Sequence, residues 1–119
     1  MARVLIVEDD AWQREHVSRV LTKHGYQTAE SAHALEAIVH IDVFKPDVIV
    51  LDIMLPGPNG FVLLHELQSH SDLARIPIIV MSTHSDVTLE ELQPYGVKVV
   101  LDKASMRPDD IVAAVRKVT

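Results

Sequence analysis

Four short runs of aliphatic, mostly β-branched residues constrain this chain more than anything else in it. They are Arg3-Val4-Leu5-Ile6-Val7, Val48-Ile49-Val50-Leu51, Ile78-Ile79-Val80-Met81 and Val97-Lys98-Val99-Val100-Leu101. A strand covered on both faces has no polar side, so it is written as a near-continuous apolar run, and this is the pattern of strands in a parallel sheet. Stretches of helical periodicity separate the runs, which gives an α/β order with right-handed crossovers and helices on both faces of a doubly wound sheet. In such a sheet every strand points its carboxyl end to the same edge, where ligands bind. Asp9, Asp52, Ser82 and Lys103 lie at or just past the ends of the four runs. Residues far apart in sequence are therefore expected at one site.

The intervening signals fill in the order. Asp10, with Gln13 three residues on, resembles a capping box, and Val17, Val20, Leu21 and His24 recur at helical spacing up to a stop at Gly25. Tyr26–Ala29 reads as a short second strand. Ser31 is a fitting cap for a helix from about Ala32 to Val43, with an apolar face of Leu35, Ile38, Val39 and Val43. Pro56-Gly57-Pro58-Asn59-Gly60 must be loop. Leu63, Leu64 and Leu67 mark a third helix. A weak fourth is expected near Thr88–Gln93, stopped by Pro94, and Pro108 suits the first turn of a last helix carrying Ile111, Val112 and Val115.

At 119 residues, 48% of them hydrophobic and 24% charged, the chain is expected to form a single domain, residues 1–119, able to bury a core without staples. No uncharged stretch approaches a membrane span and no signal segment opens the chain, so a cytoplasmic location and no membrane partner are expected. There is no cysteine, which excludes disulfides and thiol chemistry. A net charge of −6 without a basic cluster argues against direct nucleic-acid binding, and any DNA-related role would need a further domain.

The residues at the sheet edge have a definite chemistry. Glu8, Asp9 and Asp10 run together where the first strand ends, and alternation lets two of the three face the cleft. Asp52 ends the neighbouring strand. Carboxylates brought together repel unless a cation intervenes, and an all-oxygen set favours Mg²⁺ over zinc. Lys103 adds a compact positive charge and Ser82 a hydroxyl suited to a phosphoryl oxygen. A carboxylate so placed can attack phosphorus and form an acyl phosphate. The seven histidines contain no pair spaced to chelate zinc (His33 and His40, seven apart on one helix, stand about 10 Å from each other), and most are expected to be solvated. Trp12 is expected to be a partly exposed helix residue beside the site.

Together, Val4-Leu5-Ile6-Val7-Glu8-Asp9-Asp10, the segment Asp52 to Gly60, Ser82-Thr83 and Lys103 resemble the receiver domain of two-component response regulators, over essentially the whole chain. The resemblance implies a flavodoxin-like sheet of strand order 2-1-3-4-5. It implies that Asp52 accepts a phosphoryl group from a histidine kinase or histidine phosphotransfer protein. It also implies that Asp9, Asp52 and the backbone carbonyl of Met54 bind Mg²⁺, with Glu8 helping through water. Lys103 pairs with Asp52 and then with the phosphoryl group, and Ser82 reports phosphorylation to the face of the fourth helix, fifth strand and fifth helix. Such a domain is not a conventional enzyme. It accepts a phosphoryl group, loses it slowly, and acts on an output domain, an effector or, through that face, a second copy of itself.

Three features depart from the family pattern, all on the output side. Ala104 follows Lys103 where proline is usual, and a trans bond is expected there. Val100 replaces a switching aromatic. The segment His84 to Gly96 has few apolar anchors and is expected to be locally less stable, refolding on phosphorylation or partner binding. Two other functions stay open from sequence: a degenerate receiver acting as an unphosphorylated interaction module, and a flavin-binding electron carrier on the same sheet. Against the second, three acids in the first loop would repel a phosphate.

Overall fold

The structure, a computed structural model, describes residues 2–54, 60–83 and 88–119. Strands β1 (Arg3–Val7), β2 (Gln27–Ser31), β3 (Val48–Asp52), β4 (Ile78–Ser82) and β5 (Val97–Asp102) alternate with helices α1 (Ala11–Lys23), α2 (Ala34–Phe44), α3 (Gly60–Gln68), α4 (Leu89–Leu92) and α5 (Pro108–Val118). All strand pairs are parallel and the order is β2-β1-β3-β4-β5, the doubly wound flavodoxin-like arrangement. Most of the expected Pro56–Gly60 loop, and His84 with Val87, lie outside the described residues.

The apolar runs form central strands because both of their faces are covered. Leu5, Val7, Ile49, Leu51, Ile78 and Val80 pack with Ala37, Ile41, Leu63, Leu64, Leu67 and Leu92, on the side of α2, α3 and α4. Their alternates Val4, Ile6, Val48, Val50, Ile79 and Met81 pack with Val17, Leu21, Ile111, Val112 and Val115 of α1 and α5. Each such buried side chain contributes about 1.5–3 kcal/mol through removal from water. β5 joins β4 with one irregularity: its register moves from Ile78↔Val97 to Ile79↔Val99, which leaves the exposed Lys98 as the extra residue.

The second βα unit differs from its sequence reading. β2 runs on to Ser31, which is wholly buried, because the Glu8 N–H donates to the Ser31 carbonyl at 3.0 Å. Ser31 therefore does not cap α2. His33 does, its Nδ1 accepting the Glu36 N–H at 3.3 Å. The face of α2 is also reversed. Ala34, Ala37 and Ile41 are buried, whereas Leu35, Val39 and Val43 are 62%, 62% and 80% exposed. Ile38, on the flank, is partly buried against the core. The sequence Ala-Leu-Glu-Ala-Ile-Val-His-Ile-Asp-Val-Phe is apolar nearly all round, so periodicity offers two faces. The alanine face lets the helix backbone lie close to the sheet.

The other helices follow their sequence signals. Asp10 caps α1, its side chain accepting from the Trp12 and Gln13 N–H groups, and Gly25, at φ 91°, follows the helix end. Thr88 caps α4, which ends at Leu92 ahead of Pro94, and a 3-10 turn over Gln93–Tyr95 with Pro94 inside it carries the chain on. Leu92 is buried, and Leu89 and Tyr95 pack against the core. No described peptide bond is cis, Lys103-Ala104 included. No described helix is long and apolar enough to cross a membrane.

Candidate functional site

The sheet register assembles the site. Val7 pairs with Leu51 across β1 and β3, so the next residues, Glu8 and Asp52, come side by side on the same face as both strands end. Glu8 has no exposed surface and Asp52 is 4% exposed. Lys103 arrives from the end of β5, its backbone N–H donating to the Ser82 carbonyl at 2.9 Å. Its ammonium lies between the two carboxylates, 2.5 Å from Glu8 Oε1 and 3.1 Å from Asp52 Oδ2. The other Asp52 oxygen, Oδ1, accepts the Met54 N–H at 3.0 Å. Gly60 closes the floor. Its N–H donates to the Ile53 carbonyl, and a Cβ there would stand 2.7 Å from the Ile53 Cα and 2.8 Å from the Ile53 oxygen. Only a residue without a side chain lets α3 start so near the Asp52-Ile53 backbone.

This is an unusual amount of charge to bury. The lysine stem and the site interior shield the groups from water, and no described buried side-chain polar atom lacks a hydrogen-bond partner. Burial, reinforced by Asp52 alongside, pushes the Glu8 carboxyl up from its usual 4.5 to about 8, against the pull of Lys103. Burial also opposes charge on Asp52. There the hydrogen bonds with Glu8 and the Met54 N–H, with the Lys103 charge, outweigh it and hold Asp52 below its usual 3.8. Desolvation likewise works against the Lys103 ammonium, but Glu8 and Asp52 overcome it and raise Lys103 above 10.5.

Glu8, Asp9 and Asp52 each present a carboxylate oxygen, all within 4.8 Å of one another. Asp9 is exposed, and Asp10 turns away to cap α1. Two acids of the run thus serve the cleft and the third serves the helix. An all-oxygen set with one solvent-facing member fits a hard cation that keeps some of its water, as Mg²⁺ does. Ser82, 2% exposed, ends β4 beside Lys103. Trp12 is 82% exposed and Met54 is 52% exposed, and both follow acids of the site within three residues. A cleft of about 200 Å³ between α1 and α5 is lined by Lys103, His16, Arg107 and Met106, while the roomier one of about 390 Å³ beside β2 and α2 includes none of Glu8, Asp9, Asp52, Ser82 and Lys103.

Sequence reading missed what braces the site. Arg14 donates from Nη1 to the Glu8 carbonyl at 2.8 Å and from Nε to Glu30 at 3.2 Å. The buried Ser31 hydroxyl bonds His40 Nδ1 at 2.7 Å. Four histidines are exposed, as expected, and each makes a surface contact as well: His24 with the Val20 carbonyl, His33 with Glu36, His65 with Tyr95 and His70 with Glu66. No spacing rule marks such contacts.

Comparisons with known proteins identify the family. Residues 4–116 match the family described as the response regulator receiver domain. Protein PilH of Pseudomonas aeruginosa is 33% identical over 88 residues, 74% of this chain and 73% of its own length. The phosphate regulon transcriptional regulatory protein PhoB of Escherichia coli is 31% identical over 119 residues, 98% of this chain and 51% of PhoB. The chain thus spans about half the length of PhoB, as it does of the MtrA regulators, described as DNA-binding, at 49%. Among solved structures, the chemotaxis response regulator CheY4 of Vibrio cholerae superposes with a TM-score of 0.88 at 27% identity, over 100% of this chain and 99% of CheY4. Fold and family match agree: this chain belongs to the receiver domains of two-component response regulators.

Proposed function

We propose that residues 1–119 act as one phosphoacceptor switch, in which Asp52 takes a phosphoryl group from a histidine kinase or histidine phosphotransfer protein in a Mg²⁺-dependent reaction. The observation that carries this reading is the Lys103 ammonium held between Glu8 and Asp52 at the carboxyl edge of the sheet. An Asp52 oxygen attacks phosphorus, and the bond to the donor's nitrogen or oxygen breaks with its electron pair leaving on the donor, so an acyl phosphate forms. Lys103 moves its charge from the carboxylate to the phosphoryl oxygens. Glu8, Asp9, Asp52 and the Met54 carbonyl are the groups to hold Mg²⁺, Glu8 through water. When bound, the cation neutralises the carboxylates and lets an anionic donor approach. Ser82, next to Lys103 at the strand ends, bonds the added phosphoryl group in this reading and passes the change to α4, β5 and α5. Val100 packs partly buried in that region and offers no aromatic ring for the readout. The resulting signal goes to an output domain, an effector protein or a second copy, and the domain turns over no metabolite.

Intact mass after incubation with Mg²⁺ and acetyl phosphate or phosphoramidate tests this reading. One added phosphoryl group, absent without Mg²⁺ and absent in Asp52→Asn, is the expected result. No Mg²⁺ binding and no uptake would make the chain an unphosphorylated interaction module instead.

A further inference from the structure

β1 ends at Val7 and α1 starts at Ala11, so three residues turn the chain and two of them carry carboxylates to the site. What sets their direction is the plane of the peptide joining Glu8 to Asp9. At the end of a strand the last carbonyls lose their sheet partners, and the Glu8 carbonyl is such a group. Arg14, one turn into α1, supplies the partner through Nη1 at 2.8 Å, while its Nε is held by Glu30 of β2 at 3.2 Å. The Arg14 side chain is 18% exposed, so these contacts lie largely inside the molecule. Glu8 is then fixed at both main-chain ends to the same edge strand: its N–H directly on the Ser31 carbonyl, its C=O through Arg14 and Glu30. The strand end is itself fastened to α2 by Ser31 and His40.

We propose that Arg14 is a positioning residue, holding the Glu8-Asp9 peptide so that both carboxylates converge with Asp52 on a divalent cation. The proposal rests on the cation-dependent reading given above. It requires arginine in particular. The guanidinium reaches the carbonyl and the carboxylate with two nitrogens of one rigid plane, whereas a lysine ammonium has a single nitrogen on a flexible stem. Glu30 aims the fork, in the way that hydrogen-bonded partners outside a coordination set orient the ligands within it.

The test is a Mg²⁺ titration followed by the backbone amide signals of residues 8–10, on wild type, Arg14→Ala, Arg14→Lys and Glu30→Gln, with urea unfolding of each in EDTA. Wild type is expected to bind. Arg14→Ala is expected to weaken Mg²⁺ on the order of tenfold while remaining folded at the titration temperature. Glu30→Gln should weaken it less, and Arg14→Lys should restore only part of the loss. Phosphoramidate uptake should fall at low Mg²⁺ and recover when Mg²⁺ is saturating. Unchanged Mg²⁺ affinity in Arg14→Ala, or full restoration by lysine, would overturn the proposal, as would a loss confined to urea stability. Should Arg14→Ala not fold, the Glu30→Gln and Arg14→Lys affinities decide it in the same way. Absence of Mg²⁺ binding in wild type would instead remove the cation-dependent reading itself, a result distinct from all of these.

Discussion

The carboxyl edge of the sheet and the outer face of α2 each invert the usual distribution of side chains, in opposite senses. At the edge, charge is inside: Glu8, Asp52 and most of the Lys103 side chain are withdrawn from water. On α2, apolar side chains are outside: Leu35, Val39 and Val43 face solvent along the helix. The first inversion is compensated within the chain, since Glu8, Asp52 and Lys103 are hydrogen-bonded to one another and Asp52 also to a backbone donor. The second has no such compensation among the described residues. Charges cannot be buried without partners, because the desolvation cost is several kcal/mol per ion. Exposed apolar residues carry no comparable penalty. The edge is therefore intolerant of change and the α2 face tolerant.

Breaking the lysine link should have the largest effect. Lys103→Ala leaves the buried Asp52 carboxylate, and Glu8 beside it, without their cation and is expected to cost about 3 kcal/mol in urea unfolding at pH 8. Phosphoryl uptake should fall by about 100-fold or more, as when a charge-stabilising donor is removed from a reaction site. Next comes Gly60→Ala, whose Cβ would meet the Ile53 backbone at 2.7 Å. Neither partner there is a flexible side chain, so the expected loss is about 1–3 kcal/mol, with slower phosphoryl uptake because the Asp52-Ile53 backbone must shift. A loss near zero would mean that α3 does not press on β3 as described.

The pH dependence of stability sharpens the same contrast. Burial raises the Glu8 carboxyl from its usual 4.5 to about 8 in the fold. Between those values the folded state binds more protons, so this group's contribution is fully present below 4.5 and is lost as pH rises through 8. The slope is at most about 1.4 kcal/mol per pH unit for one proton. Asp52, held low, acts below that window, and Lys103, held high, acts above it. Urea unfolding in EDTA from pH 5 to 9 should show the decline in wild type and lose it in Glu8→Gln. The smallest effect belongs to α2. Leu35→Gln, Val39→Gln and Val43→Gln should each change stability by no more than about 0.5 kcal/mol. A loss of 2 kcal/mol or more at any of them would show that side chain to be packed and would end the comparison.

How far the sequence could be read depended on whether one residue type had one possible use. The central strands were legible because no polar face competed with the apolar one. α5 was legible because Ile111, Val112 and Val115 make a single stripe behind Pro108. α2 was not, since either of two stripes could have met the sheet. Ser31 is a good cap by residue type and His33 a poor one, yet the Glu8 N–H draws Ser31 into β2 and leaves His33 to cap. At the site, Asp52, Lys103 and the acid run were visible because strand ends in a parallel sheet share an edge. The division of labour among Glu8, Asp9 and Asp10 was visible only in part, and no spacing or motif marks Arg14.

Sequence alone determined the layer architecture and which residues would gather, because both follow from local patterns: buried-strand runs, helix periods and the position of each charged residue after its strand. Tertiary structure decided which way α2 faces, which acid is enclosed and what holds the Glu8-Asp9 peptide in place. Those outcomes depend on the competition of several groups for the same space or the same hydrogen-bond partner. Such competitions are settled only when segments distant in sequence pack together.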